Sequence, residues 1–169
     1  IDFGKAISSI TTSVNSVNIY GEQEIVSKYE ESYIPVEVDV SGLSDSKSYT
    51  VVVPKPDGIR EVSEKTITVK ISLGKEESME VNDIKIDAIN LGPNLKAGAI
   101  GENSSKTTVI VKGTKEVLDT IDATTIKATV DLAGLGEGEH TVEVKVTGEE
   151  VKANYFAKTT KIKVRISKS

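Results

Sequence analysis

Val130-Asp131-Leu132-Ala133-Gly134-Leu135 repeats Val38-Asp39-Val40-Ser41-Gly42-Leu43. In both stretches a β-branched run ends at an Asp followed by a Gly turn. Such an Asp can accept a bond from a backbone N–H two residues on, and the Gly supplies backbone angles that other residues resist. The offset between the copies is 92, and it also relates Gly21 to Gly113, Ile25 to Val117 and Ile34 to Ile126. Toward the end of each copy the offset grows to 95, where Ile67, Val69 and Ile71 match Ile162, Val164 and Ile166. One small loop difference accounts for the drift. The chain is therefore an internal duplication, divided here into residues 1–74 and 75–169.

Within each copy strict alternation marks the strands. Val36, Val38 and Val40 take one face while Glu37 and Asp39 take the other. Ile126, Ala128 and Val130 repeat the pattern. Val142, Val144 and Val146 alternate with Glu143 and Lys145, and Ile162, Val164 and Ile166 with Lys161, Lys163 and Arg165. Each strand has an apolar and a wet face, as in a sheet solvated on one side. Pro54 and Pro56 end the Val51–Val53 strand and point to an edge. The period breaks after Gly21 and after Gly113. Val117, Leu118 and Ile121 there suit one or two helical turns, with Thr114 placed to cap them. The second copy also holds an early strand, Asp83–Ile89, whose counterpart would fall before residue 1. The first copy thus lacks its first strand. Its residues 1–15 are expected to be poorly ordered, to pair with a neighbouring chain, or to form a rearranged edge.

Composition fits this picture. The 169 residues include 21 Val, 18 Ile and 16 Thr against 7 Leu, a bias toward stiff side chains that suit pleated surfaces. The 21 basic and 26 acidic residues give a net charge of −5, which offers no footprint for a phosphate backbone. There is no Cys and a single His, so thiolate metal sites, disulfides and multi-His centres are excluded. No run approaches the length of a spanning helix.

Strand, Gly, short helix, extended stretch, V-D-x-[SA]-G-L turn and two more strands follow one another in both copies. The second copy runs through Val109-Ile110-Val111-Lys112-Gly113, Val117-Leu118 and the turn at Val130–Leu135 to Val142–Val146. The first runs through Val17-Asn18-Ile19-Tyr20-Gly21, Ile25-Val26 and the turn at Val38–Leu43. This order resembles the YbbR domain, a small β-rich module found in tandem. Unlike many such domains, the chain has no Pro within Ser104–Thr107 or Ala157–Thr159. The resemblance implies a mainly β fold of two small tandem domains, each with a short helical segment. It also implies a non-enzymatic, extracytoplasmic interaction module, membrane-anchored through an N-terminal helix outside this sequence. In Firmicutes such proteins regulate a membrane diadenylate cyclase, the enzyme that makes cyclic di-AMP, and that cyclase is the implied partner. The alternative is a surface stalk or adhesin repeat that binds cell-wall or host glycans.

Candidate sites have plainer readings. His140, beside Glu137 and Glu139, could sense pH through a neighbouring carboxylate, or could simply enter a strand after a turn. Asp39 and Asp131 could suggest a metal or a catalytic pair, but turn capping explains both. Glu30-Glu31, Glu76-Glu77 and Glu149-Glu150 lack the ligand rhythm of a calcium loop. Asn103-Ser104-Ser105 fits a glycosylation sequon, void in a bacterial protein. Gly98-Ala99-Ile100-Gly101 is followed by no phosphate-loop residues. The row Lys161, Lys163 and Arg165 could dock an acidic partner, or could be the wet face of an edge strand opposite Glu143. No catalytic set, cofactor site or metal site is assigned, and no small hydrolase or isomerase can be assembled from these residues.

Overall fold

The computed structural model describes residues 1–101 and 104–169. Its contacts divide the chain into two compact units, Ile1–Gly74 and Lys75–Ser169. In the first unit the elements are β1 (Lys5–Thr12), β2 (Ile19–Tyr20), α1 (Gln23–Val26), β3 (Lys47–Val52), β4 (Glu61–Val62) and β5 (Thr66–Lys75). A 3-10 turn, Ser27–Tyr29, extends α1. β5 is the middle of a three-stranded sheet, order β1-β5-β3, and β2 pairs with β4 in a separate ribbon. The alternation in β5 buries Val69 and Ile71 against Leu43. Val53, Ile59 and Val62 form a second small core that holds Ile25 and Val26 of α1.

The second unit contains β6 (Glu77–Ile89), β7 (Leu95–Ala99), β8 (Lys106–Gly113), α2 (Lys115–Leu118), β9 (Lys127–Asp131), β10 (Gly138–Thr147), β11 (Asn154–Ala157) and β12 (Lys161–Lys168). All eight elements except α2 join one seven-stranded sheet, order β11-β8-β6-β9-β10-β12-β7. β6 is its pivot. Its first part runs antiparallel to β8, from Glu77 opposite Gly113 to Val81 opposite Val109. Its last part runs parallel to β9, from Ile86 opposite Ala128 to Ile89 opposite Asp131. Between them a bulge at Asn82 and Asp83 shifts the register, and Asp83 takes φ 61. The extra residue lets Val81 and Ile84, three apart, both point into the cores. Leu132, Val130 and Ile166 in one core, and Val109 and Val111 in the other, are almost wholly inaccessible.

The repeated turn has one geometry in both units. Asp39 Oδ1 accepts the Ser41 N–H at 2.9 Å, and Asp131 Oδ1 accepts the Ala133 N–H at 2.9 Å. Gly42 and Gly134 have φ 67 and 72, the left-handed region that suits Gly.

Four expectations are corrected. Residues 34–40 are not a strand: they keep the alternating exposure but belong to no sheet. Their counterpart β9 lies between β6 and β10, whereas among the described residues no strand pairs with residues 34–40. The neighbour on the other side is also cut short. β3 pairs Lys47 with Ile71 as β10 pairs Gly138 with Ile166, so Pro54 and Pro56 fall where β10 has Lys145 and Thr147, opposite β9. A proline has no N–H to give to a ladder. Second, of the outcomes expected for residues 1–15, poor order is overturned: residues 5–12 form β1, on the free side of β5, the place β7 takes beside β12. Third, β12 is not an edge, because β7 pairs along it from Val164 opposite Ala99 to Lys168 opposite Leu95. Fourth, Thr114 stands at the N-cap position of α2 but makes no capping bond, and its Oγ1 is buried with no partner among the described residues.

Candidate interaction surface

The site that stands out is a groove in the first unit, about 1020 Å³ in volume. Its lining includes Val36, Val38 and Val40 of the extended stretch, Val17 and Ile19, Ile7 and Ile10 of β1, and Val69 of β5. The groove exists because residues 34–40 keep an apolar face without a sheet to cover it. Ile126, Ala128, Val130 and Leu132 of the second unit are buried, while Ile34, Val36, Val38 and Val40 are only half-buried. None of the amides of residues 36–40 donates to a backbone carbonyl among the described residues. Such free amides beside an apolar row are what an added strand needs: the ladder gives affinity and the side-chain pockets give selectivity. Large apolar side chains also lie open nearby, including Ile10 on the groove and Tyr33, 96% exposed.

The other candidates resolve into local structure. His140 sits in β10 with Nε2 2.8 Å from the Gly136 carbonyl, so its ring meets backbone and not a carboxylate. Glu139 instead pairs with Arg165 across the β10–β12 ladder, and this contact holds its carboxyl below the usual range. Lys161 and Lys163 stand opposite Glu143 and Thr141 on the same exposed face. The basic row is thus partly neutralised by its neighbour strand.

Asp39 and Asp131 act as turn residues. Hydrogen bonds from Ser41 hold the Asp39 carboxyl below its ordinary value. Asp131 is lowered first by the Ala133 amide and then by Asn90, whose Nδ2 donates to it at 3.0 Å. Glu150 accepts the Lys152 amide at 2.9 Å. Gly98 and Ala99 lie in β7, paired with Arg165 and Val164. Among the described residues, no group of three acidic or His side chains could hold a metal ion. Asn103, the sequon residue, lies outside the described residues. The groove itself was missed by sequence reading. Its signal was present in the two prolines, which stop β3 short of residues 34–40.

The chain matches the family of YbbR-like proteins over residues 2–71 and 81–166. It is 26% identical over 168 residues to the CdaA regulatory protein CdaR of Bacillus subtilis (strain 168), an alignment that covers 98% of this chain and 34% of that protein. The chain therefore spans about a third of that relative's length. Among solved structures it is similar to a YbbR-like domain from Listeria monocytogenes, with 15% identity, TM-score 0.47, and 54% of this chain and 94% of that one covered. A YbbR-like protein from Streptococcus pneumoniae TIGR4 gives 20% identity, TM-score 0.48, and coverage of 56% and 48%. With both repeats matched over nearly their whole length, the chain belongs to the YbbR-like protein family.

Proposed function

We propose that this chain is the non-enzymatic interaction portion of a regulator of a membrane diadenylate cyclase, and that it acts outside the cytoplasm in a membrane-anchored protein. The observation that carries this reading is the similarity to the CdaA regulatory protein CdaR along 98% of the chain. The residue inventory supports it: with one His, no Cys and turn-bound Asp39 and Asp131, no nucleophile, base and orienting group come together among the described residues. Recognition falls to sheet edges and apolar grooves, which bind through backbone ladders and surface fit. No catalytic, cofactor or metal residue is assigned.

The test is to express the full gene carrying this chain beside the membrane diadenylate cyclase of the same organism and to measure cyclic di-AMP. A changed level at equal cyclase abundance supports the reading. An unchanged level, with retention of the protein on peptidoglycan or glycans, overturns it in favour of a surface stalk.

A further inference from the structure

The seven-stranded sheet of the second unit ends on β7, and one side of β7 pairs with no strand. The ladder with β12 decides which groups are open. The Ile100 N–H donates to the Lys163 carbonyl at 3.0 Å, and the Ser169 N–H donates to the Asn94 carbonyl at 3.0 Å. In the same register Lys96 stands opposite Ser167 and Gly98 opposite Arg165. Bonded and non-bonded pairs alternate along an antiparallel ladder. The even-numbered residues of β7 therefore face β12, and Leu95, Ala97 and Ala99 turn their N–H and C=O groups outward. Among the described residues no other backbone group bonds to these three.

Natural sheets blunt an open edge with Pro, a bulge or charge. β7 has no Pro and no register shift, and its one charged residue is Lys96. Gly98 has no purpose within its own unit. Its φ lies outside the left-handed region, and a Cβ at this position would meet no atom within 4 Å. A Gly inside a strand weakens it, and marks a place where another chain comes close.

We infer that β7 is a self-complementary edge, which pairs antiparallel with β7 of a second copy of this chain about a two-fold axis at Ala97. Open groups belong to odd-numbered residues, so bonded pairs join odd to odd. With Ala97 opposite Ala97 of the second copy, Leu95 falls opposite Ala99 and Lys96 opposite Gly98. Large then meets small on the core side, where Leu95 and Ala97 already pack against the core. On the wet side the Lys stem lies over the Gly. The neighbouring registers are worse. Sliding one way sets Lys96 against Lys96, and like charges directly opposite destabilise a pair. Sliding the other way sets Leu95 against Gly101, beyond the end of β7. The occupant follows from this match, since the one cation of the edge falls opposite its one Gly. Two five-residue edges make a contact well below the roughly 1,200 Å² of a stable interface, so the pair is weak and depends on concentration.

The inference is independent of which partner the whole protein regulates. It is tested by amide hydrogen exchange and sedimentation of the 169-residue chain between about 20 µM and about 2 mM. Exchange at Leu95, Ala97 and Ala99 is expected to slow by about threefold or more across this range, while Lys96 and Gly98, already bonded to β12, stay unchanged. The sedimenting mass is expected to rise toward that of a dimer and no further, because a two-fold contact closes on itself. Ala97→Pro removes an N–H that the unit does not use, and is expected to abolish both effects with protection at Ala128–Asp131 retained. Gly98→Lys sets cations opposite one another. It is expected to weaken pairing at low ionic strength, with recovery in about 0.5 M salt. Exchange at Leu95, Ala97 and Ala99 that does not change with concentration overturns the inference. So does concentration-dependent protection that survives Ala97→Pro, or a mass that grows past a dimer, since either assigns the association to another surface.

Discussion

Residues 34–40 and 126–132 are the same piece of sequence placed in two settings. Both end in the same Asp-Gly turn, and both alternate apolar and polar side chains. In the second unit the stretch is a central strand with buried apolar residues; in the first it is extended, half-covered and bonded to no sheet. The turn survives because it is satisfied by its own side chain and backbone, within a few residues. The strand does not survive because its bonds belong to its neighbours: no described strand lies along one side, and the neighbour on the other is cut by Pro54 and Pro56. Strand identity in this fold is thus a property of the sheet, and alternation supplies only the capacity for it.

The largest expected contrast is in core truncation. Leu132→Ala removes a side chain with no exposed surface, and residue-resolved urea unfolding should show the second unit losing about 2–5 kcal/mol. The equivalent Val40→Ala in the first unit acts on a half-buried residue and should cost less than about 1 kcal/mol. Equal losses would break the comparison.

A proline swap comes next. Lys145→Pro puts into β10 the residue that the first unit has at Pro54, and should destabilise the second unit by about 1–3 kcal/mol through lost ladder bonding to β9. The reverse change, Pro54→Lys, should move the first unit by less than about 0.5 kcal/mol, because the second wall of that ladder is not in place.

The smallest effect concerns acid. Asp39 and Asp131 both titrate below the ordinary carboxylate value of 3.8 in the folded chain. Their bonds therefore stabilise both units above that value, and the contribution is lost as pH falls through the lowered folded values. Asp39→Ala and Asp131→Ala should each flatten the acid arm of a thermal-melting profile. The two effects should be similar in size, because each carboxylate takes one backbone and one side-chain hydrogen bond, both from Ser41 at Asp39, and from Ala133 and Asn90 at Asp131.

Much of this was legible in the sequence, and the divisions are physical. The duplication, β5, β9, β10 and β12 follow from alternation over several residues, and the Asx turns from a four-residue motif. The segments β1 and β7 escaped because Ser8, Ser9 and Gly98 dilute their pattern. The start of β6 escaped because its bulge breaks the period between Val81 and Ile84. The inner position of β12 depends on β7, some 60 residues earlier in the chain, and no local pattern reports that. The groove is the same kind of feature: it follows from what does not sit beside residues 34–40. The missing cap at Thr114 shows the converse, since a suitable residue at an N-cap position still turned its hydroxyl elsewhere.

The most direct test of the central claim, that residues 34–40 carry a strand pattern without a sheet while their counterparts form β9, is amide exchange in the unaltered chain. At Ala128–Asp131 the account predicts protection approaching that of the second unit's global unfolding. At Val36–Asp39 it predicts exchange near the rate of an unstructured peptide. Equal protection of the two stretches would contradict it.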